Sequence, residues 1–431
     1  MALLHEKLAQ QIPALRDAVK KLTKESGAIK VSDVTLEQAY GGMRGVKSLV
    51  CDTSEVPPDK GLIIRGRPVG QLTRQLPEET LWLLLTGEEP SAAELADVQA
   101  DLRARARVPD YVWAVLGAMP ADSHPMAMLN TAILVMERES IFRQRYDGGM
   151  KKDEYWLATL EDALTIVAVL PEIAAGLYRM RFGKGSRIAG RPELDWAANF
   201  AAMLGIPDPT GDFARLMRLY MVLHCDHESG NVSALTTATV NSALSDLYYA
   251  LSSGLNGLAG PLHGLANQEC LGWVLETNRK FGGSPTKEQI QAYAQETLSA
   301  GRVIPGYGHA VLRITDPRFD ALLAFGKQHC ADDPVFQTVV HVFETVPDIL
   351  KTIQKIKDPW PNVDAGSGAL LYHYGLTEFP YYTVLFSVSR ALGVCAQAVM
   401  ARAMGLPITR PKSVTTRWLQ GEAAKAAGAA M

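Results

Sequence analysis

The stretch Tyr155-Trp-Leu-Ala-Thr-Leu-Glu-Asp-Ala-Leu-Thr-Ile-Val-Ala-Val-Leu170 carries apolar residues at spacings of three and four, which is the period of an α-helix. The same period recurs, with Gly or Pro at the breaks, in Glu78 to Leu85, Ala92 to Arg105, Phe213 to Leu223, Lys287 to Ala300 and Val335 to Lys357. Only Leu49 to Thr53 and Gly61 to Gly66 have the composition of short strands. The sequence therefore predicts an all-α protein.

Composition limits the class of protein. A chain of 431 residues that is 47% hydrophobic can bury a large core and favours two domains. Its net charge of -3 offers no field for nucleic acid or an anionic membrane, so any anionic ligand must be bound by local arginines. The five cysteines are scattered and lack CxxC spacing, which predicts reduced thiols rather than disulfides.

Two segments bear on location. Residues Met1 to Lys30 mix acidic residues with lysines and lack an uninterrupted apolar core, which is typical of neither a secretory signal nor a transit peptide. We therefore expect a cytoplasmic protein, with a processed protein of the mitochondrial matrix as the alternative. The apolar stretch Tyr381 to Met400 contains Arg390 and many small residues, so it predicts a buried helix rather than a membrane span.

Three glycine-rich segments each present one reactive side chain. They are Gly260-Pro-Leu-His263-Gly264, Gly306-Tyr-Gly-His309-Ala-Val-Leu-Arg313 and Asn362-Val-Asp364-Ala-Gly-Ser-Gly368. Glycine lets a substrate approach the backbone, so two imidazoles and a carboxylate in this setting indicate a reaction site. Arg313, one helical turn beyond the second imidazole, adds a cation for an acidic substrate.

Both histidines have a structural alternative. His263 follows Pro261, a residue favoured at the first position of a helix, and a ring in the first turn would be kept neutral by the helix dipole. It could donate a hydrogen bond to a carbonyl oxygen, or it could only cap the helix. His309 ends the turned loop Val303 to Gly308, which could cradle part of a nucleotide-like ligand or could be purely structural.

The carboxylate and two further arginines also have both a functional and a structural interpretation. Asp364 could act as a base or could simply cap a following helix over Ala369 to Tyr374. Arg390 and Arg410 fall in apolar or turn contexts, where an unpaired guanidinium is costly. Each therefore requires an anionic partner, which is either a protein carboxylate or a ligand.

His224 and His227 raise the alternative of a metallohydrolase, because histidines three residues apart share a helix face. The spacing is not HExxH, and no neighbouring His or Cys cluster completes a metal shell, so we expect no metal. Walker A, GxGxxG, GxSxG and kinase motifs are also missing, which weakens nucleotide hydrolysis, hydride transfer and serine esterase chemistry.

Taken together, these residues resemble the citrate synthase family, in the form found in animal mitochondria and some bacteria. The matching strings are Tyr40-Gly-Gly-Met-Arg-Gly, His227-Glu-Ser-Gly-Asn-Val-Ser-Ala, Asn256-Gly-Leu-Ala-Gly-Pro-Leu-His-Gly-Leu-Ala-Asn-Gln-Glu, Val303 to Arg313, Pro359 to Gly368, Ser389-Arg-Ala-Leu-Gly and Arg410-Pro-Lys-Ser. The resemblance implies a homodimer whose large helical domain (1–262 and 372–431) carries a smaller mobile helical domain (263–371).

The implied activity is entry to the tricarboxylic acid cycle by an acyltransferase. It joins the methyl carbon of acetyl-CoA to the ketone of oxaloacetate and hydrolyses the citryl thioester to citrate and CoA, with no cofactor or metal. In the family pattern Asp364 is the base, His263 hydrogen-bonds the thioester oxygen and His309 polarises the ketone. A carboxylate with an ordinary pKa of about 4 is a weak base for this carbon acid, so it needs that help.

The resemblance also implies binding residues. Oxaloacetate would be held by His227, Arg313 and Arg390, together with Arg410 from the partner subunit. The expected CoA contacts are Arg44, Val303, Ile304, Pro305, Gly306, Tyr307, Gly308, Lys357 and Asn362. A 2-methylcitrate synthase that uses propionyl-CoA shares the same catalytic pattern and is the main alternative.

Overall fold

A computed structural model describes residues 2–309 and 311–428, and helices dominate it. The first twelve are α1 (Ala2–Ser26), α2 (Leu36–Tyr40), α3 (Pro77–Thr86), α4 (Ala92–Arg105), α5 (Asp110–Ala118), α6 (Pro125–Val135), α7 (Ile141–Asp147), α8 (Tyr155–Arg181), α9 (Trp196–Leu204), α10 (Asp212–Leu223), α11 (Val232–Ser242) and α12 (Leu247–Leu258). Seven more are α13 (Ala266–Phe281), α14 (Lys287–Ser299), α15 (Pro317–His329), α16 (Pro334–Lys351), α17 (Asp364–His373), α18 (Tyr382–Met404) and α19 (Thr416–Gly428). Short 3-10 helices cover Val69–Gln71, Met136–Glu139, Lys152–Glu154 and Phe379–Tyr381. The all-α prediction is confirmed.

The helices begin and end where local hydrogen bonding requires. Helix α4 starts with a capping box, in which Ser91 and Glu94 each bond the backbone N–H of the other. The prediction for Val335 to Lys357 overshot the end of α16, which is at Lys351. There the amide and hydroxyl of Thr352 both donate to the carbonyl of Ile349, which closes the last turn.

The strands form one small antiparallel sheet in the order β1-β2-β3. Their bounds are β1 (Ser54–Glu55), β2 (Ile63–Ile64) and β3 (Arg67–Pro68). Gly61 to Gly66 therefore contains a strand, as predicted. Leu49 to Thr53 does not, because pairing begins only at Ser54, which lies opposite Ile64.

Two long helices form the centre of the core. Helix α8 packs along α18, and most of their side chains are buried. By length and composition the segment from Phe379 to Met404 is apolar enough to cross a membrane, yet 83% of its most apolar window is buried inside the protein. This agrees with the buried helix predicted from sequence.

Helices α13 to α17 form a second packed group. Helix α14 packs on α16, and α13, α15 and α16 all pack on α17. Contacts of α15 with α10 and with residues 69–71 join this group to the rest. The group covers most of the expected small domain, 263–371, although residue 371 falls inside α17.

Candidate active site

Side chains from three loops, α17 and α18 lie together. His227 follows α10, His263 lies between α12 and α13, and His309 lies between α14 and α15. The rings of His227 and His309 are 5.6 Å apart. The positive charge of Arg390 on α18 acts on both His263 and Asp364. The structure therefore brings these five sequence-predicted residues to one place.

Backbone hydrogen bonds hold the loop before α15 against the segment before α17. The Gly308 N–H donates to the carbonyl of Trp360 and the Asn362 N–H to the carbonyl of Gly306, each at 2.9 Å. The Asn362 amide also donates to the Gly308 carbonyl at 3.1 Å. Gly306 has a φ of 81°, which favours glycine. This pairing sets the second imidazole and the carboxylate in neighbouring segments.

His309 has a fixed tautomer. Its Nδ1 accepts the backbone N–H of Val311 at 3.0 Å and that of Leu312 at 2.9 Å, so the ring hydrogen lies on Nε2. Burial, followed by the positive charge of Arg318, lowers the pKa of His309 to about 4. The ring is therefore a neutral donor at neutral pH.

His263 lies in a turn, so the prediction that it occupies the first turn of its own helix is wrong. The turn is closed by the amides of His263 and Gly264, which donate to the Gly260 carbonyl at 3.0 and 3.2 Å. Gly264 packs so closely on the end of α12 that a Cβ there would lie 2.1 Å from the Leu258 carbonyl oxygen. Helix α13 can begin only after this close contact, at Ala266.

The helix start that faces His263 belongs to α11. The backbone N–H of Ser233 donates to Nε2 at 3.2 Å, and the Ser233 hydroxyl oxygen is 2.9 Å from the same nitrogen. Because an amide N–H can only donate, Nε2 is an acceptor and Nδ1 carries the ring hydrogen. Burial, followed by the charge of Arg390, lowers the pKa of His263 to about 4. The sequence predicted a neutral ring because of the dipole of its own helix, whereas in the structure the ring is neutral because of burial and the charge of Arg390.

Asp364 is the first residue of α17 and does not cap a helix at Ala369, so that alternative is wrong. The N-cap residue is Val363, and the Asn362 side chain just before it accepts the Asp364 N–H at 3.0 Å. Burial raises the pKa of Asp364 to about 6, against the lowering effects of Arg318 and Arg390. It is therefore a stronger base than the ordinary carboxylate that the sequence suggested.

Arg390 is built to receive an anion. Its side chain is only 1% exposed, and it donates to the His224 carbonyl at 3.3 Å and to Asn231 Oδ1 at 3.2 Å. Both of these partners are neutral oxygens, although the charge of Asp226 also acts on the guanidinium. A buried guanidinium without a paired anion is costly, so the free part of its fork favours a ligand carboxylate.

His227 adds a second open position. Its Nε2 is buried and has no hydrogen-bond partner in the described part of the chain. Burial, then the charges of Arg318 and Arg390, hold its pKa well below the usual range. A buried polar atom left unpaired in this way favours a ligand contact.

Sequence reasoning missed Arg318. This residue is 4% exposed, and its Nε and Nη2 pair with Asp316 at 2.6 to 3.1 Å. Its charge acts on His309, His227 and Asp364. Helical spacing could have found it, because position 318 shares the apolar face of Leu322.

Arg313, by contrast, is exposed. Its Nη1 donates to the carbonyl of Leu312 at 2.5 Å and to that of Val311 at 3.1 Å. Its guanidinium is therefore turned onto its own loop. The expected role of Arg313 in binding a dicarboxylate gains no support from this placement.

Most of the remaining predicted binding residues lie near the surface, and Gly306 and Ile304 are buried. Arg44, Val303, Lys357 and Arg410 are exposed, and Ile304 is buried in the core. Pro305, Tyr307 and Asn362 are partly exposed. The loop can thus offer backbone and a few side chains to a ligand, while Ile304 anchors it.

The histidine pair of the metallohydrolase alternative does not share a helix face. Helix α10 ends at Leu223, so His224 and His227 lie in the loop beyond it. His224 Nδ1 is 2.9 Å from the Tyr220 carbonyl, and its ring stacks on Tyr220 at 4.0 Å. No group of three or more His, Cys, Asp or Glu in the described residues could hold a metal ion. This arrangement gives metal chemistry no support.

The site combines two neutral imidazoles, a carboxyl group of raised pKa and buried arginines. This set defines an acid–base catalyst for an anionic substrate. A family model described as "Citrate synthase, C-terminal domain" matches residues 42–412. The chain belongs to the citrate synthase family.

Individual relatives agree with this family. The mitochondrial citrate synthase of Daucus carota is 46% identical over 98% of this chain and 91% of its own length. A mitochondrial 2-methylcitrate synthase of Yarrowia lipolytica is 49% identical over 96% and 91%. The crystal structure of citrate synthase from Pyrobaculum aerophilum is 27% identical, with a TM-score of 0.79 over 90% of this chain and 95% of that one. Both relatives compared by sequence are mitochondrial, so the cytoplasmic expectation is not supported.

Proposed function

We propose that this protein condenses acetyl-CoA with oxaloacetate and hydrolyses the resulting citryl-CoA to citrate and CoA. The observation that carries the proposal is a carboxylate of raised pKa, Asp364, grouped with two imidazoles that are held neutral. Both substrates of this reaction are anions, which suits the buried Arg390. The chemistry uses no metal and no cofactor, since acetyl-CoA is itself a substrate.

The first step removes a proton from the methyl group of acetyl-CoA. Asp364 takes that proton, while the Nδ1–H of His263 donates a hydrogen bond to the thioester oxygen as negative charge develops there. A neutral donor suits this step because Ser233 satisfies the other ring nitrogen. The raised pKa of Asp364 narrows the gap between the base and the carbon acid.

The second step forms the carbon–carbon bond. The methylene carbon attacks the ketone of oxaloacetate, and the Nε2–H of His309 donates to the ketone oxygen as it becomes an alkoxide. The open Nε2 of His227 supports a further hydrogen bond to this substrate. Water then cleaves the thioester, which releases citrate and CoA.

Oxaloacetate binding is assigned to Arg390, Arg318 and His227, with Arg410 from a partner subunit. Planar guanidinium forks hold carboxylates through parallel hydrogen bonds, which fix orientation as well as charge. The exposed Arg313 is better suited to a phosphate of CoA, because it follows the loop Val303 to Gly308 that is proposed for that ligand.

CoA is assigned to the loop Val303 to Gly308, with Arg44 and Lys357 near its phosphates and Asn362 near its pantetheine arm. The exposure of these two cations supports contact with a charged ligand. The helical group α13 to α17 would act as the mobile domain and close over the substrates, which protects the thioester from premature hydrolysis. The mitochondrial relatives favour the matrix as its location.

A homodimer is part of this proposal. Helix α19 has no buried residue, and a lone helix of 13 residues is marginal in water. The segment before it exposes Leu406, Ile408 and Val414, and α19 itself exposes Trp418. The Tyr40 hydroxyl bonds that of Thr416, the first residue of α19, at 2.8 Å. Such apolar arms favour burial against a second copy of the chain.

Specific activity should therefore fall in proportion to the dimer fraction on dilution, because each site would need Arg410 from its partner. Mass photometry and CoA release measured at the same protein concentrations check this expectation. Full specific activity in a population of monomers would contradict it.

The pH profile follows from the three titrating groups. Asp364 acts as a base only when deprotonated, so kcat/KM should fall below about pH 6 with a single acid limb. His263 and His309, with pKa values of about 4, should add no limb between pH 5 and 8. Initial rates over that range measure the profile. The midpoint of the acid limb should move in Asp364→Glu, because the new carboxyl group has a different pKa. A midpoint that stays at about pH 6 in that variant would assign the limb to another group.

The activity itself is tested by CoA release, followed with a thiol reagent, from oxaloacetate and either acetyl-CoA or propionyl-CoA. A preference for acetyl-CoA of about 10-fold or more is expected, within the range that one methylene allows. Comparable or faster propionyl-CoA turnover would move the assignment to 2-methylcitrate synthase, the activity named for the Yarrowia relative. No release from either substrate would overturn the proposal.

A further inference from the structure

One side chain, Asn231, touches three parts of the proposed site. Its Nδ2 donates to the carbonyl of His227 at 2.9 Å and to that of Glu228 at 3.2 Å. Its Oδ1 accepts from Arg390 Nη1 at 3.2 Å and from the Ser233 hydroxyl at 2.8 Å. The same oxygen caps α11. Both ends of the amide are therefore fully used.

The loop held by the Asn231 amide is strained. Glu228 has a φ of 49°, a left-handed conformation that is unfavourable for a residue with a side chain. Ser54 accepts the Glu228 N–H at 2.7 Å, and Gln397 donates to its carbonyl at 3.2 Å. Asn231 supplies the remaining donors that keep His227 at its position.

Ser233 extends the influence of Asn231 to His263. Its one hydroxyl hydrogen has two acceptors, Asn231 Oδ1 at 2.8 Å and His263 Nε2 at 2.9 Å. The position of the hydroxyl therefore depends on the asparagine, and the imidazole depends on the serine. Because these contacts are short and partly buried, a change at Asn231 must move the ring or leave a polar atom unpaired.

We propose that Asn231 is a positioning residue that couples the dicarboxylate end of the site, at Arg390 and His227, to the thioester-activating imidazole of His263. The inference rests on the citrate synthase activity proposed above. It assigns Asn231 no contact with the reacting atoms. Its role is to fix the position of the dicarboxylate end of the site relative to the His263 imidazole, so that bound oxaloacetate and the activated thioester lie at reacting distance from each other.

Asn231→Ser tests this coupling, because serine keeps an oxygen to cap α11 but has no amide donors and is too short for Arg390. We expect kcat to fall about 10-fold and KM for oxaloacetate to rise about 10-fold. Ser233→Ala, which breaks only the branch to His263, should lower kcat about 10-fold and leave that KM within about twofold. The double variant should lose about 10-fold in kcat rather than about 100-fold, because both changes act through the same branch.

Asp246→Ser is the matched control. Asp246 caps the neighbouring helix α12 by accepting the N–H groups of Tyr248 and Tyr249, and it touches no site residue. This variant should lose thermal stability with both kinetic constants within about twofold of the parent. Multiplicative losses in the double variant, or unchanged constants in Asn231→Ser while the parent remains active, would overturn the inference and leave the proposed function standing.

A second readout does not depend on activity. In protein labelled with 15N-histidine, His263 should show a single neutral tautomer with the hydrogen on Nδ1, identified by its loss in His263→Gln. Asn231→Ser should shift the Nε2 resonance while the hydrogen stays on Nδ1, because the Ser233 hydroxyl loses the competing acceptor Oδ1 of Asn231 and donates to Nε2 alone, and Asp246→Ser should cause no such shift. An unchanged His263 signal in Asn231→Ser would overturn the coupling, even if the protein released no CoA from either thioester.

Discussion

Replacement of Asp364 by asparagine should lower kcat about 1000-fold, within the range that a positioned general base contributes, while both KM values change little. The amide has nearly the same shape as the carboxylate but cannot accept a proton from carbon. Steady-state CoA release with saturating acetyl-CoA and oxaloacetate measures the loss. Asp320→Asn is the control, because Asp320 on α15 also has a pKa raised by partial desolvation and by Asp316, but its side chain is exposed.

The same variant should be more stable than the parent at pH 8. The folded-state pKa of Asp364 is raised, so its contribution to stability is present below the unfolded pKa and is lost as pH rises through about 6. Asparagine removes the cost of the buried charge at pH 8 and makes no difference near pH 3. Thermal unfolding at the two pH values measures this difference. An Asp364→Asn protein that is less stable than the parent at pH 8 would contradict the cost of the buried charge, and a normal kcat would contradict the role of Asp364 as the base.

Much of the fold could be predicted because helices depend on local sequence. The apolar period located six helices, and one of them, α4, has the bounds that its apolar pattern predicted. Their ends were less certain. The end of α16 at Lys351 is closed by the amide and hydroxyl of Thr352, which the apolar pattern does not reveal.

The candidate site could be predicted only in part, because its chemistry depends on contacts between distant segments. Glycine-rich loops indicated His263, His309 and Asp364. The helix start that bonds His263 and sets its tautomer lies thirty positions earlier, at Ser233, and the packing of α11 beside α12 brings it close. The raised pKa of Asp364 likewise arises from burial, which no local pattern shows.

Arg313, just before α15, and Arg318, within α15, also show that local sequence cannot reveal which side chains are buried. In sequence, Arg313 follows His309 in a glycine-rich loop, whereas Arg318 follows an aspartate and resembles one half of a surface ion pair. In the structure their environments are reversed, since Arg318 is buried beside the imidazoles and Arg313 is exposed. Assignment of the dicarboxylate contact therefore requires knowledge of which face of α15 is buried.

Arg318→Lys should consequently raise KM for oxaloacetate about 100-fold, because a charged bidentate contact is worth several kcal/mol when one partner is truncated. Lysine keeps a cation beside Asp316, so this buried carboxylate is not left unpaired and the fold should survive. Arg313→Lys is the matched substitution and should leave that KM within about twofold, while KM for acetyl-CoA rises. Initial rates with each substrate varied separately distinguish the two, and the reverse pattern would return the dicarboxylate to Arg313. Because Asp316 already holds Nε and Nη2 of Arg318, the part of the guanidinium left for a ligand carboxylate is the edge that carries Nη1, and lysine has no second nitrogen to replace it.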